Sequence, residues 1–247
     1  MKKTLTIIGL AAFASLTGSH AQIITQWNFN AENATPSIGS GTISLIGGAT
    51  NSGYNSGAGS SDPTQPGFGY QTTTYPAQST ASGTAGIQLD VSTASFQSPT
   101  YTGIQVSFDL RTSNTSSRWF RIDYTTNGGI DWTLGSAVRM GAAANAGDTW
   151  HNGNSLLIND VAALDNANFG FRIVSVFSPD AFTEAASSTN YAANTAYEVA
   201  RNTTSTYGGG TWRFDMITVT AVPEPSTFLL IGLGSSFLLL NTRRRRA

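Results

Sequence analysis

Carboxylates are the most frequent ionisable side chains in the central part of this chain. All fourteen acidic residues except Glu224 lie in the body that precedes the C-terminal tail. A glycosidase needs two carboxylates that face each other across a sugar, about 5–10 Å apart. No motif selects such a pair. Asp109, Asp123 and Asp215 alternate outward along predicted strands or stand beside arginines, which indicates surface charge or cross-strand ion pairs.

Nucleophilic and metal chemistry find little support. His151 is the one imidazole left after the N-terminal segment, and no nucleophile-elbow pattern accompanies it. The chain has no cysteine, which excludes a disulfide framework, thiol catalysis and cysteine metal sites. A histidine-cluster zinc site is excluded by count. The sequence therefore predicts a protein without catalytic residues. The alternative is a secreted hydrolase of the glycosidase type, which a cleft with two facing carboxylates would favour.

Two kinds of binding chemistry remain. Sugar rings stack their apolar faces on aromatic side chains, and Trp132 and Trp150 lie near polar loops, as a glycan platform requires. Trp27 and Trp212 are predicted to be core residues. Calcium prefers carboxylate and carbonyl oxygens, and Glu32 and Asp215 approach one another if the first and last strands pair. A structural calcium ion is the one cofactor that the sequence suggests.

The charge balance excludes one class of partner. The body contains seven arginines and no lysine against its acidic residues, so its formal net charge is near −6 although that of the whole chain is −1. An acidic body with scattered arginines argues against nucleic-acid binding.

The sequence pattern around these residues predicts short strands. Alternating apolar residues predict strands from Ile23, Thr42, Gly86, Ile104, Arg118, Ile130, Thr149, Phe169 and Thr211. Asn51 to Ser61 is rich in glycine and serine and is predicted to be a surface loop. Asn127-Gly128 indicates a tight hairpin turn, and Asp160 an N-cap over one or two helical turns. The strand from Phe169 is apolar on both faces, which places it centrally.

About seven to nine short strands with long loops predict an all-β fold, an antiparallel two-sheet β-sandwich of the jelly-roll type. Several sequence segments resemble those of secreted lectin-like jelly-roll domains. The MAM and concanavalin-like folds are similar to these domains. The segments are Val106–Arg111, Tyr124–Gly129, Asn168–Ile173 and Thr211–Asp215. This resemblance implies a fold and no activity.

The N-terminus has the three parts of a secretory signal. Lys2-Lys3 is positively charged, an apolar stretch follows, and Ser19-His20-Ala21 is a small-x-small cleavage site. The prediction is a signal helix over residues 1–21, with Ala21 as the last residue removed and Gln22 as the mature start. An uncleaved anchor is the alternative.

The C-terminal tail joins a proline-bracketed acid, an apolar run and a basic cluster. Phe228 to Leu240 carries no charge and would rise roughly 20 Å as a helix, against a hydrocarbon core of about 30 Å. We therefore predict a short transmembrane helix. The four arginines Arg243, Arg244, Arg245 and Arg246 would hold its end on the cytoplasmic side. A buried helix of the folded body is the alternative.

Pro223, Glu224 and Pro225 complete a tail that resembles the PEP-CTERM sorting domain. The resemblance covers residues 222–247. It implies recognition by an exosortase, a membrane-embedded cysteine protease of Gram-negative bacteria that cuts near the motif. It also implies an exported protein, held at the inner membrane and then released or re-anchored at the cell surface, often alongside exopolysaccharide.

The organisation that follows has three parts: a signal peptide (1–21), a β-sandwich domain with long polar loops (22–221) and a sorting segment (222–247). The body is predicted to be a binding or adhesion module whose partner is a glycan or exopolysaccharide. A purely structural matrix protein is the second alternative, and the lack of any cleft or exposed aromatic platform would favour it.

Overall fold

The described part of the chain contains eleven strands and one 3-10 helix. The computed structural model describes residues 20–141, 145–181, 196–201 and 205–224. The strands are β1 (Gln22–Trp27), β2 (Thr42–Ile46), β3 (Thr50–Ser56), β4 (Phe68–Thr73), β5 (Gly86–Asp90), β6 (Tyr101–Thr112), β7 (Trp119–Thr125), β8 (Thr133–Arg139), β9 (Trp150–Ile158), β10 (Gly170–Ser175) and β11 (Trp212–Pro223). The 3-10 helix is Val161–Ala163.

The strands form two antiparallel sheets, which confirms the predicted all-β sandwich. The six-stranded sheet has the order β3-β4-β11-β6-β9, and β1 also pairs with β11. The five-stranded sheet has the order β2-β5-β10-β7-β8. The strand from Phe169 is β10, and its position between β5 and β7 confirms that it is central.

The first and last strands are neighbours, as predicted. Gln22 of β1 lies opposite Ala221 of β11, and Trp27 lies opposite Ile217. This pairing places the two chain ends of the body side by side. The unit that contains it runs from Ala21 to Glu224.

The core lies between the sheets and is built from the alternating apolar residues. Phe108 of β6 meets Phe120 of β7 edge to face, with ring centroids 5.4 Å apart, so the two sheets are in direct contact. Trp27 and Trp212 are completely buried, which confirms both as core residues. Burial of each such aromatic side chain contributes roughly 2–3 kcal/mol.

Two local predictions are wrong. Half of the predicted loop Asn51–Ser61 is β3, which pairs with the unpredicted strand β4. The rings of Tyr54 and Tyr70 on these strands lie 5.6 Å apart, so cross-strand aromatic packing outweighs the weak strand propensity of a polar, glycine-rich segment.

The Asn127-Gly128 turn is also longer than predicted, because β7 ends at Thr125 and β8 begins only at Thr133. The Asn127 side chain accepts a hydrogen bond from the Asp131 amide (3.0 Å), and Gly128 takes the positive φ (70°). An asparagine side chain that bonds to the backbone stabilises such an open loop as well as a tight turn. The helix cap is confirmed, since Asp160 accepts from the Ala162 amide at 2.9 Å.

Residues 1–19 and 225–247 are not among the residues that the structure describes. The signal helix, the apolar run Phe228–Leu240 and the basic cluster Arg243–Arg246 lie outside the described residues. Among the residues that the structure does describe, no helix is long and apolar enough to cross a membrane.

Candidate functional site

A row of polar side chains crosses the outer face of the five-stranded sheet. Arg172 of β10 lies opposite Asp123 of β7 on one side and opposite Gln88 of β5 on the other. Ser44 of β2 continues the row beyond Gln88. The neighbouring residues Phe171 and Ile173 point into the core, so side-chain alternation directs this row away from it. We call the row Ser44–Gln88–Arg172–Asp123 the outer strip.

Asp123 organises the strip. Its carboxylate is fully buried and accepts from Arg121 Nε (2.6 Å), Arg172 Nε (2.9 Å) and the Gly135 amide (3.2 Å). The two arginine side chains remain about one-fifth exposed, at 22% and 20%. Charge-assisted bonds of this kind are stronger than neutral ones and fix the guanidinium planes. The strip together with Arg121 therefore presents two oriented cationic groups for one anionic charge.

Trp132 lies at the end of the strip, just before β8. The guanidinium of Arg172 stacks on its indole ring, 4.4 Å from the centroid. Cation–π contact of this kind holds both groups in place. Arg172 donates to Asp123 through Nε only, and its two Nη groups make no hydrogen bond within the described part of the chain. They are available to an acceptor that approaches from solvent.

Trp150, the second predicted platform, lies on the other sheet and is not part of this strip. It is half-buried and opposite Arg111 of β6. A Cβ at Gly59 would lie 3.0 Å from its Cδ1 atom, so the 57–62 loop covers the ring. Its indole nitrogen is buried and has no hydrogen-bond partner among the residues that the structure describes. His151 beside it contacts the Ala146 carbonyl oxygen through Nε2 (3.0 Å).

Asp109 and Asp215 lie under that same loop, on the outer side of the six-stranded sheet, beside Asp62 of the loop itself. The three residues are exposed by 1%, 0% and 3%, so the prediction of surface charge is wrong for Asp109 and Asp215. Asp215 accepts from the Ser60 hydroxyl (2.6 Å) and the Met216 amide (2.8 Å). The remaining contacts are made by the Ser61 and Gly153 amides to Asp109 and by the Asn30 side chain and the Thr64 amide to Asp62.

Burial changes the acidity of one member of this cluster. Desolvation raises the pKa of Asp215 to about 7, and the nearby charges of Asp62 and Asp109 add to the increase. The hydrogen bonds from Ser60 and Met216 act in the opposite direction and only partly offset the burial. Asp215 is therefore partly protonated near neutral pH.

The carboxylate oxygens of the cluster are of the kind that calcium prefers. Each carboxylate faces a hydroxyl, amide or backbone donor, and among the described residues no three acidic or histidine side chains are grouped to hold a metal ion. Glu32, the other predicted ligand, has an exposed side chain, and Asn30 contacts Asp62 instead. Calcium binding at Glu32 and Asp215 stays a prediction.

The predicted processing residues lie together at one end of the six-stranded sheet. Ala21 is exposed and Gln22 begins β1. Pro223 is the last residue of β11, and the Glu224 amide donates to the Thr100 carbonyl oxygen (3.1 Å). Pro225 lies outside the described residues. Residues 221–246 match the family of PEP-CTERM protein-sorting motifs.

The chain carries a PEP-CTERM sorting motif. The match confirms the resemblance seen in Pro223, Glu224 and Pro225, and it begins two residues before them, inside β11. Such a motif implies export and sorting to the cell envelope. No curated protein matches this chain in sequence.

Solved structures similar to this chain include xylan-binding and carbohydrate-binding modules. The first is the xylanase 10B CBM22-1–GH10 fragment of Clostridium thermocellum with xylohexaose, 11% identical, with a TM-score of 0.44 over 83% of this chain and 29% of that one. The CBM22-2 xylan-binding domain of Paenibacillus barcinonensis Xyn10C is 10% identical, with a TM-score of 0.43 over 80% and 98%.

A third similar structure is a module of Cellvibrio mixtus lichenase 5A in complex with cellotriose. It is 12% identical, with a TM-score of 0.35 over 81% of this chain and 99% of that one. The chain thus spans less than a third of the xylanase fragment but nearly all of the single modules.

Sequence reasoning found part of the outer strip and missed the rest. It placed Asp123 beside arginines and left surface charge and cross-strand pairing open. The structure shows an ion pair with Arg121, which lies on the same strand. Sequence reasoning did not include Arg172, although Arg172 occupies an outward position in the clearly alternating segment of β10, which was the available signal. It also missed Asp62, because the loop that contains this residue has no periodicity to place it.

Proposed function

We propose that this exported protein is a non-catalytic glycan-binding module, sorted by an exosortase-type membrane protease through its PEP-CTERM motif. The glycan lies on the outer strip of the five-stranded sheet, with Trp132 as the aromatic contact. Exopolysaccharide at the cell surface is the class of partner that suits both the export route and this site.

The observation that supports this proposal most directly is the stacked pair Trp132–Arg172. An aromatic ring beside oriented hydrogen-bonding groups is the usual composition of a sugar site. Arg172 offers two unused Nη donors, and Gln88 and Ser44 continue the polar row across neighbouring strands. Because Asp123 fixes both arginines, little conformational entropy is lost when a ligand binds.

The hydrolase alternative has one specific observation in its favour. Asp215 lies opposite Asp109, and the pKa of Asp215 near 7 suits a general acid. Both carboxylates are covered by the 57–62 loop and engaged by backbone or serine donors, which leaves no room for a sugar between them. The non-catalytic proposal is therefore preferred. The structural-matrix alternative is less favoured because Trp132 and the outer strip supply a binding surface.

The sorting motif determines how the protein reaches the cell surface. The apolar run Phe228–Leu240 anchors the chain in the inner membrane, with Arg243–Arg246 on the cytoplasmic side, until the exosortase acts. The body then remains at the cell surface or in the extracellular matrix.

A glycan array tests the binding proposal. The body Gln22–Glu224 is probed with neutral and acidic polysaccharides and with the oligosaccharides xylohexaose and cellotriose. We expect W132A and R172Q to lower the affinity for the bound glycan at least tenfold. R111Q, which changes a half-buried arginine on the other sheet, serves as the matched control and retains binding. Variants W132A and R172Q that bind as the native body does would refute this site.

A further inference from the structure

The sorting motif and the folded body overlap in the last strand. β11 runs to Pro223, whereas the motif begins at residue 221. Val222 lies opposite Gly103 of β6, and Pro223 lies opposite Tyr101. The Glu224 amide then donates to the Thr100 carbonyl oxygen at 3.1 Å. No spacer therefore separates the sheet from the residues that the sorting enzyme recognises.

The start of the motif is held from both sides. Ala221 is fully buried and lies between Gln22 of β1 and Ile104 of β6. Tyr101 fixes the same end of the sheet, because its hydroxyl donates to the Gln22 side-chain oxygen at 2.9 Å. Detachment of this segment would break pairing with two strands and leave buried backbone groups without partners.

A protease requires its substrate backbone to be accessible, and cleavage in folded proteins concentrates where the chain leaves regular structure. The peptide bonds up to the Glu224 amide belong to the sheet. We propose that the exosortase cuts on the C-terminal side of Glu224, at Glu224–Pro225 or beyond, and that the sheet excludes the bonds from Ala221 to Glu224. This inference rests on the processing proposed above.

The chemistry at that position is ordinary acyl transfer. The thiolate of the protease attacks the carbonyl carbon, the C–N bond breaks, and the C-terminal fragment leaves as an amine that takes up a proton. Water or another amine then releases the acylated body from the thioester. The product keeps Glu224, whose amide bonds to the Thr100 carbonyl oxygen at the end of the sheet where β1 begins.

Intact-mass analysis of the released body tests the inference. The full chain is expressed in a host that contains an exosortase, and the C-terminal residue of the product is read from its mass. We expect a C-terminus at Glu224 or later. A product that ends between Ala221 and Pro223 overturns this inference alone. Absence of any cleavage overturns both the inference and the proposed processing.

A second pair of variants tests whether the sheet end opens before cleavage. Y101A loosens the pairing opposite Pro223, whereas Y101F keeps the ring and loses only the bond to Gln22. We expect both variants to be cut at the native bond, at rates within about twofold of the native chain. A tenfold faster reaction or an upstream cut in Y101A alone would show that the enzyme acts on the opened strand. Thermal unfolding of both bodies verifies that they are folded.

Discussion

Asp215 of β11 lies directly opposite Asp109 of β6, and both carboxylates are shielded from solvent. Two like charges at adjacent positions of a sheet repel each other, and burial increases the cost of ionising either one. The arrangement is tolerated because Ser60, Ser61, Met216 and Gly153 donate hydrogen bonds to the pair, and because Asp215 retains its proton to near-neutral pH.

The first prediction is a loss of stability as the pH rises. The pKa of Asp215 is about 7 in the folded body, whereas that of an aspartate in the unfolded chain is 3.8. The stability that the proton provides is therefore complete below about pH 4 and is lost as the pH rises through about 7. We expect the free energy of unfolding in urea to fall by up to about 4 kcal/mol over this range.

The D215N variant isolates this effect from the other carboxylates. An asparagine cannot ionise, and its amide can donate to Ser60 while its oxygen accepts from the Met216 amide. The difference between the native body and D215N should therefore grow with pH. Equal pH dependence in the two proteins would contradict the assignment. Repeating the series with 1 mM calcium chloride tests the calcium prediction, since calcium at Asp215 would stabilise only the native body above pH 7.

The second prediction concerns the centre of the outer strip. D123N leaves Arg121 and Arg172 without their shared carboxylate, and removal of one partner from a buried ion pair costs about 3–5 kcal/mol. Both arginines are one-fifth exposed, so we expect a loss of about 3 kcal/mol in urea unfolding, together with weaker glycan binding. R172Q should lose binding with a smaller loss of stability. A D123N body within 1 kcal/mol of the native one would contradict this role.

Much of the fold was predictable because its strands alternate clearly. The periodicity of β6 and β7 follows from one apolar and one polar face, and the apolar residues on both faces of β10 indicated its central position. The aromatic residues Trp27 and Trp212 indicated that the terminal strands belong to the core. β3 and β4 were not predictable in the same way. Most of their residues are polar, and the contacts that stabilise them, such as those of Tyr54 and Tyr70 with each other and with Phe29, join residues that are distant in sequence.

The candidate site shows the same division. Asp123 and Arg121 are two residues apart on one strand, so their ion pair could be predicted from local spacing. Arg172 reaches Asp123 from a strand 49 positions later in the chain, and Trp132 reaches Arg172 from the loop before β8. Long-range contacts of this kind depend on strand order, which one sequence does not determine. The covering of Asp215 by the 57–62 loop has the same origin.

The third prediction concerns a second buried network, centred on Glu198. Its carboxylate accepts from Trp119 Nε1 (2.6 Å) and Arg139 Nη2 (2.6 Å) and lies 3.7 Å from Arg118. Arg118 and Glu198 are both almost completely buried. We expect E198Q to lower the free energy of unfolding by about 3 kcal/mol, because Arg118 then remains charged in the interior.

A matched substitution at the surface controls for the loss of one carboxylate. Asp148 pairs with Arg111 at 3.1 Å, but its side chain is 47% exposed. Surface pairs of this kind contribute less than about 1 kcal/mol, so D148N should unfold nearly as the native body does. Equal losses in E198Q and D148N would show that burial of the Glu198 network adds nothing to stability.

The fourth prediction separates the sorting function of the tail from the stability of the body. The Glu224 side chain is exposed, and the residue is tied to the sheet by its backbone amide, which donates to the Thr100 carbonyl oxygen. We therefore expect E224A, and deletion of Arg243–Arg246, to leave the melting temperature of the body unchanged. Both changes alter the recognised tail, so the full-length form should accumulate in cells. The measurement is the ratio of full-length to released protein, followed with a C-terminal tag. A tag retained equally by native and variant chains would show that the tail is not processed, since the variants differ from the native chain only in the signal that the protease reads.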